Sequence, residues 1–319
     1  MANTSNWMST IPDSKKIINV NIPGTHDSGT FNSAVPYTKT QDWSIEQQLN
    51  QGIRFLDIRL SKIVSKDIAK PFSIKNSAVY ILMHGPAPVG GDFAHTVLSP
   101  INQFLDKNPT EMVFMSIKSE ESKYPIDAAD MEEFATLERS YDHKKNIEDV
   151  EMSDLRGKIV LLNRVTSNCG YPWNLFNIQD SYELHMHYYE KVIIPGIPAR
   201  HHKVCLPWPL NNHCHTVTIP GITERTQKTP NGWNYAQKTS HISDFLKKDP
   251  TNANNKLNIN FLTASSSDIK YYPLFTNGVL RNSQIQNNYI TNKGWSENGM
   301  IFPIDFPNTN LMKKIISSN

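Results

Sequence analysis

Two histidines in this sequence follow short apolar runs and are accompanied by carboxylates. His26 stands in the segment Pro-Gly-Thr-His-Asp-Ser-Gly, directly before Asp27, and His84 follows the run Val-Tyr-Ile-Leu-Met. Asp305 follows another apolar run much later in the chain. Histidine titrates near neutral pH, so one imidazole can act as a base and the other as an acid. A carboxylate on the far ring nitrogen, from Asp27 or Asp305, would fix the tautomer.

A charged pair in a further apolar run adds the means to bind an anion. Asp57 and Arg59 alternate in Phe55–Leu60 and would therefore face the same side of a strand. An arginine fork binds two phosphoryl oxygens at once without a metal ion. Cleavage of a phosphodiester requires a base for the nucleophile, a cation for the phosphoryl oxygens and an acid for the leaving alkoxide. The two histidines and the arginine together match that requirement.

Each of these residues has an ordinary structural explanation when it is taken alone. A single histidine at a strand end is more often a hydrogen-bonded structural residue than a catalyst. Asp57 and Arg59 could form a simple ion pair, and Asp305 could cap the loop that follows it. Unpaired charges in the mouth of a barrel are costly, however, so the joint pattern favours a functional site.

Short apolar runs rich in strand-forming residues predict the elements that position these side chains. Several are apolar on successive residues, as expected of strands covered on both faces. Helix candidates lie between them at Ser99–Leu105, Ile126–Tyr141 and Ile242–Lys248. The alternation predicts an α/β fold, a TIM-type (β/α) barrel in a single domain over residues 1–319, with an irregular part at 168–255. The predicted strands are Ile18–Ile22, Phe55–Leu60, Val79–Met83, Met112–Ile117, Ile159–Leu162, Leu257–Leu262 and Met300–Ile304.

Five motifs combine these strands with the polar residues that follow them. They are Ile22–Phe31, Phe55–Arg59, Leu82–Pro86, Ile159–Arg164 and Pro303–Asp305. In order and spacing they resemble bacterial phosphatidylinositol-specific phospholipase C over nearly the whole chain. The resemblance implies a distorted barrel and a two-step reaction on phosphatidylinositol. The inositol 2-hydroxyl first attacks the phosphorus, releasing diacylglycerol and inositol 1,2-cyclic phosphate, and slower attack by water then opens the ring.

The resemblance also implies catalytic roles for the residues of these motifs. His26 is implied as the general base supported by Asp305, and His84 as the general acid paired with Asp27. Arg59 is implied to bear the phosphate charge. The attacking hydroxyl would be tethered next to the phosphorus, which removes much of the entropic barrier.

A head-group site is implied beside the catalytic residues. Asp57 would position groups near the phosphate, and further polar side chains would hold the hydroxyls of inositol. The positions implied for that task are Lys118, Arg164, Asp180 and Tyr182.

The residues at the implied site argue against a catalytic metal. Related eukaryotic enzymes bind calcium with an Asn after the first histidine and two carboxylates in the second strand. Here Asp27 and the pair of Asp57 and Arg59 stand at those positions, and Lys118 stands where another carboxylate would be expected. A guanidinium cannot ligate a cation. We therefore expect no cofactor; a structural zinc site among the His and Cys residues of Arg200–His215 is a less favoured alternative, because its spacings fit no standard pattern.

Composition narrows the remaining choices of partner and compartment. A net charge of +2 without a basic run argues against nucleic-acid binding, and no segment approaches the roughly 18 apolar residues of a membrane span. The first residues lack the profile of a secretory signal. We nevertheless expect a secreted monomer, with a cytoplasmic location as the open alternative. It should contact the membrane surface peripherally, with Trp173 and Trp208 as candidates for the contacting rim. Cys205 and Cys214 could close a short loop in an oxidising compartment.

Two other functions stay open at this point. A glycerophosphodiester or sphingomyelin phosphodiesterase of similar barrel design would need a metal-binding carboxylate pair, which Arg59 contradicts. A non-catalytic module that binds inositol lipids would be favoured by the loss of His26, Arg59 or His84, and all three are present.

Overall fold

The protein is described by a computed structural model, and its internal contacts divide the chain into two compact units. One unit is made of Met1–Glu183 and Tyr235–Asn319, and the other of Leu184–Asn234. The prediction of a single domain over residues 1–319 stays a prediction. The structure describes residues 4–35, 38–63, 78–120, 123–180, 256–263, 287, 291 and 299–319, and the segments 186–193, 202–205, 214–217, 225–233 and 235–246.

The larger unit is built on a sheet of ten strands. These are β1 (Ile22–Thr25), β2 (Phe55–Ile63), β3 (Val79–His84), β4 (Ala87–Asp92), β5 (Val113–Ser119), β6 (Ile159–Asn163), β7 (Tyr171–Pro172), β8 (Asn177–Gln179), β13 (Asn258–Asn260) and β14 (Met300–Ile304). Eight of them are parallel and run in the order β7-β6-β5-β2-β1-β14-β13-β8. In the described part of the chain, the edge strands β7 and β8 do not pair with each other, so the sheet forms an open half-barrel.

The strand that delivers His84 differs from the sequence prediction. Val79–Met83 was expected to be a strand of the parallel series. Instead β3 pairs antiparallel with the far end of β2, with Leu60 opposite Leu82, and turns back on itself through β4. The periodicity of an apolar run does not distinguish parallel from antiparallel pairing, because both place side chains alternately. The first strand also begins later than expected, at Ile22.

Both faces of the parallel sheet are covered by apolar side chains. Along β2, Phe55 belongs to one buried cluster, whereas Leu56 and Ile58 belong to a second cluster that includes side chains from the helices. Gly24 allows the close packing of β1 on β2, because a Cβ there would lie 2.8 Å from the ring of Phe55. This two-sided burial explains why the strands read as nearly continuous apolar runs.

Helices pack against the sheet, and three of them begin at a residue whose side chain caps the helix. They are α1 (Ile45–Asn50), α2 (Ser99–Lys107), α3 (Ala128–Ala135), α4 (Met152–Leu155), α5 (Tyr235–Leu246) and α6 (Thr309–Ile316). Asp127 caps α3 by accepting hydrogen bonds from two backbone amides, and Pro100 stands at the start of α2 as predicted. No described helix is long and apolar enough to span a bilayer.

The smaller unit contains two antiparallel pairs of strands. The strands are β9 (Met186–Ile193), β10 (His202–Cys205), β11 (Cys214–Val217) and β12 (Arg225–Trp233), and β9 pairs with β12 and β10 with β11. Cys205 and Cys214 stand directly opposite each other in this register. Their pairing as a disulfide stays a prediction, and Trp208 lies outside the described residues, as do the side chains of the zinc alternative.

Candidate active site

The carboxyl ends of neighbouring parallel strands bring the predicted polar residues to one edge of the sheet. His26 follows β1, Asp305 follows β14 and Arg164 follows β6. Arg59 of β2 stands opposite Lys118 of β5 in the parallel register. The edge therefore collects side chains from five strands that are far apart in sequence.

His26 lies between a carboxylate and a guanidinium. Its Nδ1 is 2.8 Å from Asp305 Oδ1, and its Nε2 is 2.6 Å from Nη2 of Arg59. Because arginine can only donate, Nε2 must accept, and the hydrogen of the neutral ring must stand on Nδ1. This tautomer leaves a lone pair on Nε2, as a general base requires.

The turns that carry His26 and Asp305 are held in an unusual backbone conformation. Asp27 and Phe306, the residues directly after them, have positive φ angles of 48° and 45°. The buried side chain of Gln41 joins the two turns, since its Nε2 donates to the carbonyl oxygens of His26, at 2.7 Å, and of Ile304, at 2.9 Å. Left-handed conformations of non-glycine residues cost free energy, and they cluster at functional sites.

His84 approaches the same edge from the turn between β3 and β4. Its Nδ1 lies 2.6 Å from Asp27 Oδ2, which is also 3.4 Å from Nη1 of Arg59. The contact of His84 is a close ion-pair contact rather than an aligned hydrogen bond. About a third of the His84 side chain, 30%, is exposed. The other ring nitrogen can therefore face a ligand while Asp27 holds the ring.

Arg59 is surrounded by carboxylates. Asp57 accepts from its Nε at 3.2 Å and its Nη2 at 3.1 Å, and Glu120 lies 3.3 Å from Nη1. Burial alone would lower the pKa of Arg59, but Asp57, Asp27 and Glu120 raise it above the usual value. Its charge is thus fixed at every pH at which the protein is folded.

Asp57 pairs with two arginines, Arg59 and Arg164. Its Oδ1 is 3.1 Å from Nη1 of Arg164, and its Oδ2 accepts from the amide of Asp27 at 3.1 Å. Burial would raise the pKa of this carboxyl, but Arg59, Arg164 and His26 outweigh burial and hold the pKa well below its usual range. Asp57 is therefore an anion at neutral pH, and it pairs with both arginines.

Glu120 belongs to the site although the sequence prediction missed it. It is buried, and its Oε1 is 2.8 Å from Nζ of Lys118 and 3.3 Å from Nη1 of Arg59. The signal was present in the sequence, because Ser116, Lys118 and Glu120 alternate and share one face.

The structure describes three of the four remaining residues that were predicted to bind the head group. Asp180 directly follows β8 and is exposed, with no ion pair to any described residue. Tyr182 lies outside the described residues. Lys118 and Arg164 are both near Arg59 through shared carboxylate partners. The roles of all these residues stay predictions.

Comparison with known proteins identifies a family that the first half of the chain resembles. Residues 20–165 match the family described as phosphatidylinositol-specific phospholipase C, X domain. The predicted resemblance is confirmed, and the X domain includes His26, Arg59, His84, Lys118 and Arg164.

Relatives with names match about half of the chain. A 1-phosphatidylinositol phosphodiesterase of Listeria monocytogenes is 32% identical over 171 residues, which cover 50% of this chain and 49% of the relative. One of Staphylococcus aureus is 31% identical over 174 residues, covering 50% and 51%. The chain thus spans about half the length of the curated relatives it matches.

Solved structures extend the similarity in fold beyond the X domain. The phosphatidylinositol-specific phospholipase C of Listeria monocytogenes aligns with a TM-score of 0.64 at 22% identity, over 100% of this chain and 99% of that one. A mutant of the Staphylococcus aureus enzyme aligns with a TM-score of 0.66 at 21% identity, over 99% and 97%. These alignments confirm the predicted fold class, a distorted (β/α) barrel.

Proposed function

We propose that this chain is a phosphatidylinositol-specific phospholipase C that needs no metal ion. The observation that carries the proposal is the arrangement of the two histidines. Each has Nδ1 on a carboxylate, His26 at 2.8 Å and His84 at 2.6 Å, and Arg59 contacts His26 and the carboxylate of His84. A base, an acid and a fixed cation between them are the groups that phosphodiester cleavage requires.

In the proposed first step, the 2-hydroxyl of inositol takes the place of Arg59 at Nε2 of His26. Its proton passes to that nitrogen, and the oxygen attacks the phosphorus. The bond from phosphorus to the glycerol oxygen breaks, and protonated His84 gives its Nε2 proton to the leaving oxygen. Diacylglycerol and inositol 1,2-cyclic phosphate result. Asp305 and Asp27 stabilise the imidazolium form of each ring.

The second step resets both histidines. Neutral His84 takes a proton from water as that water attacks the cyclic phosphate, and protonated His26 returns its proton to the 2-oxygen of inositol. Each histidine thus alternates between acid and base, and the proton count is restored after one turnover. Arg59 stabilises the phosphoryl oxygens in both steps.

Independence from metal forms part of the proposal and is supported by what the carboxylates already bind. Asp27, Asp57 and Glu120 all direct oxygens at the guanidinium of Arg59. A divalent cation would have to replace that guanidinium or be repelled by it.

The proposal includes the setting in which the enzyme works. We propose a secreted monomer that touches the membrane surface peripherally, in keeping with relatives named for phosphatidylinositol and with a Staphylococcus aureus structure concerned with membrane binding. Sedimentation of the purified chain with and without phosphatidylinositol vesicles tests the membrane contact and the monomeric state. Fractionation of producing cells tests export.

Phosphorus NMR of phosphatidylinositol turnover in excess EDTA tests the proposed chemistry. A cyclic phosphate ester should appear first and an acyclic phosphomonoester later. His26→Ala and His84→Ala should each lower the rate by about 10²–10⁴-fold, the usual contribution of a general acid or base. His95→Ala is the matched control, since His95 is 88% exposed and pairs only with Asp92 among the described residues.

Three results would contradict the proposal. They are the absence of turnover with wild-type protein, strict dependence on added calcium, and a near-wild-type rate in either histidine variant. Parallel assays on glycerophosphodiesters and sphingomyelin distinguish the other phosphodiesterase functions. Binding of inositol lipid without turnover would identify a non-catalytic module.

A further inference from the structure

Within the part of the chain that the structure describes, the side chain of Arg164 is held at the site by a single ion pair, with Asp57. Its Nη1 is 3.1 Å from Oδ1 of Asp57, and its backbone amide donates to Ile117. Among the described residues, the other guanidinium donors have no protein acceptor, and the side chain is 20% exposed. A long side chain with one polar anchor retains rotational freedom, which must be lost before it can bind a ligand in one orientation.

A tryptophan supplies a second contact from another part of the chain. The guanidinium carbon of Arg164 lies 4.5 Å from the centroid of the Trp173 ring. This distance is well within the range of a cation–π interaction, and arginine favours a flat stacked arrangement on an indole. Asp57 and Trp173 thus hold the guanidinium from two directions.

Trp173 is itself held by aromatic neighbours. Its ring makes edge contacts with Phe176 at 6.2 Å and Phe261 at 6.4 Å between centroids. The ring of Phe261 in turn packs edge-on against His26 at 5.9 Å. Edge-to-face aromatic pairs are favourable and directional. The indole is therefore part of the wall that also supports His26.

The loop between Arg164 and Trp173 is fixed by one buried side chain. Nδ2 of Asn163 donates to the carbonyl oxygens of Ser167, at 3.0 Å, and of Cys169, at 2.9 Å, while its Oδ1 accepts from the amide of Val165 at 2.7 Å. These bonds set the course of the chain and so the position at which the indole meets the guanidinium.

We propose that Trp173 is a positioning residue for the head-group site, which orients Arg164 so that its open donors meet the hydroxyls of a polyol head group. The inference rests on the proposed function. Held over the indole ring, the guanidinium can offer parallel N–H groups to two neighbouring hydroxyl oxygens. Trp173 thereby acts in recognition inside the site rather than as the membrane-contacting residue expected from the sequence.

Kinetics on a short-chain phosphatidylinositol below its micelle concentration test this role, because no membrane is present. Trp173→Leu should raise KM about fivefold to thirtyfold, the factor expected for a partly desolvated cation–π contact, while kcat changes by less than about threefold. Trp173→Phe keeps an aromatic face, so its KM should lie between those of the wild type and Trp173→Leu. Leu175→Ala, in the same turn and 40% exposed, is the control and should leave KM unchanged.

A double-mutant cycle separates positioning from a general structural effect. In an Arg164→Met background, Trp173→Leu should add nothing further to KM, because the side chain that it orients is gone. An equal rise in KM in both backgrounds, or no rise in the wild-type background, would overturn the inference. If Trp173→Leu lowers the melting temperature, Trp173→Phe carries the same comparison. Wild-type protein without turnover would instead contradict the proposed function, so the two failures are distinguishable.

Discussion

Two arginines five positions apart, Arg54 and Arg59, use the same side chain in opposite ways. Arg54 stands just before β2 and is completely buried. It pairs with Glu111 at 2.7 Å and donates to backbone carbonyls, including those of Leu49 and Ser5. Arg59 is 13% exposed and contacts only ionisable side chains among the described residues.

The difference teaches what makes a buried charge functional. The partners of Arg54 include carbonyl oxygens that cannot titrate or move, and the ring of Phe104 lies 4.5 Å from its guanidinium. Burial lowers the pKa of Arg54, against the opposing effect of Glu111, whereas the carboxylates raise the pKa of Arg59. Fixed partners anchor the fold, while titratable partners at a strand end can exchange for a ligand.

Removing the structural arginine should have the largest effect on stability. Arg54→Met should lower the free energy of unfolding by about 3–5 kcal/mol, because Glu111 is left buried and unpaired. Arg54→Met with Glu111→Met should regain much of that loss. Denaturant unfolding measures both, and Lys16→Met, in an exposed pair with Asp149, should cost no more than about 1 kcal/mol. If Arg54→Met and Lys16→Met lowered the free energy of unfolding equally, Arg54 would not be the structural arginine that we infer.

Removing Arg59, the arginine proposed to bind the phosphoryl oxygens, should lower turnover instead. Arg59→Met should lower kcat by about 10²–10³-fold, as for other groups that stabilise transition-state charge, with a smaller change in melting temperature than Arg54→Met. Arg59→Lys keeps the charge without the fork and should recover little activity. Rates are measured by phosphorus NMR and stability by thermal unfolding. An active Arg59→Met would show that Arg59, like Arg54, is only structural.

Replacing Asp57, the anion that pairs with both Arg59 and Arg164, should have a smaller, pH-dependent effect on stability. Asp57→Asn should cost about 1–3 kcal/mol near neutral pH through lost charge-assisted hydrogen bonds. The pKa of Asp57 is lower in the folded than in the unfolded state, so its stabilisation is complete above the unfolded value of about 3.9 and is lost as the pH falls toward the folded value.

The stability difference between wild type and Asp57→Asn should therefore be constant from about pH 5 to 7 and shrink below about pH 4. Asp127→Asn is the control, since the pKa of Asp127 is also lowered, chiefly by Lys62, but its side chain is 56% exposed. Its effect should be smaller. A difference for Asp57→Asn that does not vary with pH would show that its charge is not linked to folding.

The sequence was sufficient for the groups that each strand delivers, but not for how they meet. His26, Asp57, Arg59 and Lys118 were found because apolar runs end or alternate at them. Glu120 was missed although it alternates with Lys118 on one strand face, because its contact with Arg59 joins two different strands and is visible only in the structure. The strand that carries His84 was predicted to be parallel and is antiparallel, because apolar periodicity does not indicate strand direction. The aromatic support of Arg164 depends on contacts between loops, which have no periodicity to read.

The contact of His26 with Asp305 can form only late in the synthesis of the chain. The two residues are separated by 279 positions, and they meet only when β14 has added to β1. Pairing over such a separation forms late, because the chain entropy of closing the loop is lost before the contact is gained. A ribosome-bound chain that ends before residue 300 thus lacks the partner that sets the tautomer of its base. The proposed phosphodiesterase activity would then appear only after nearly the whole chain has left the ribosome.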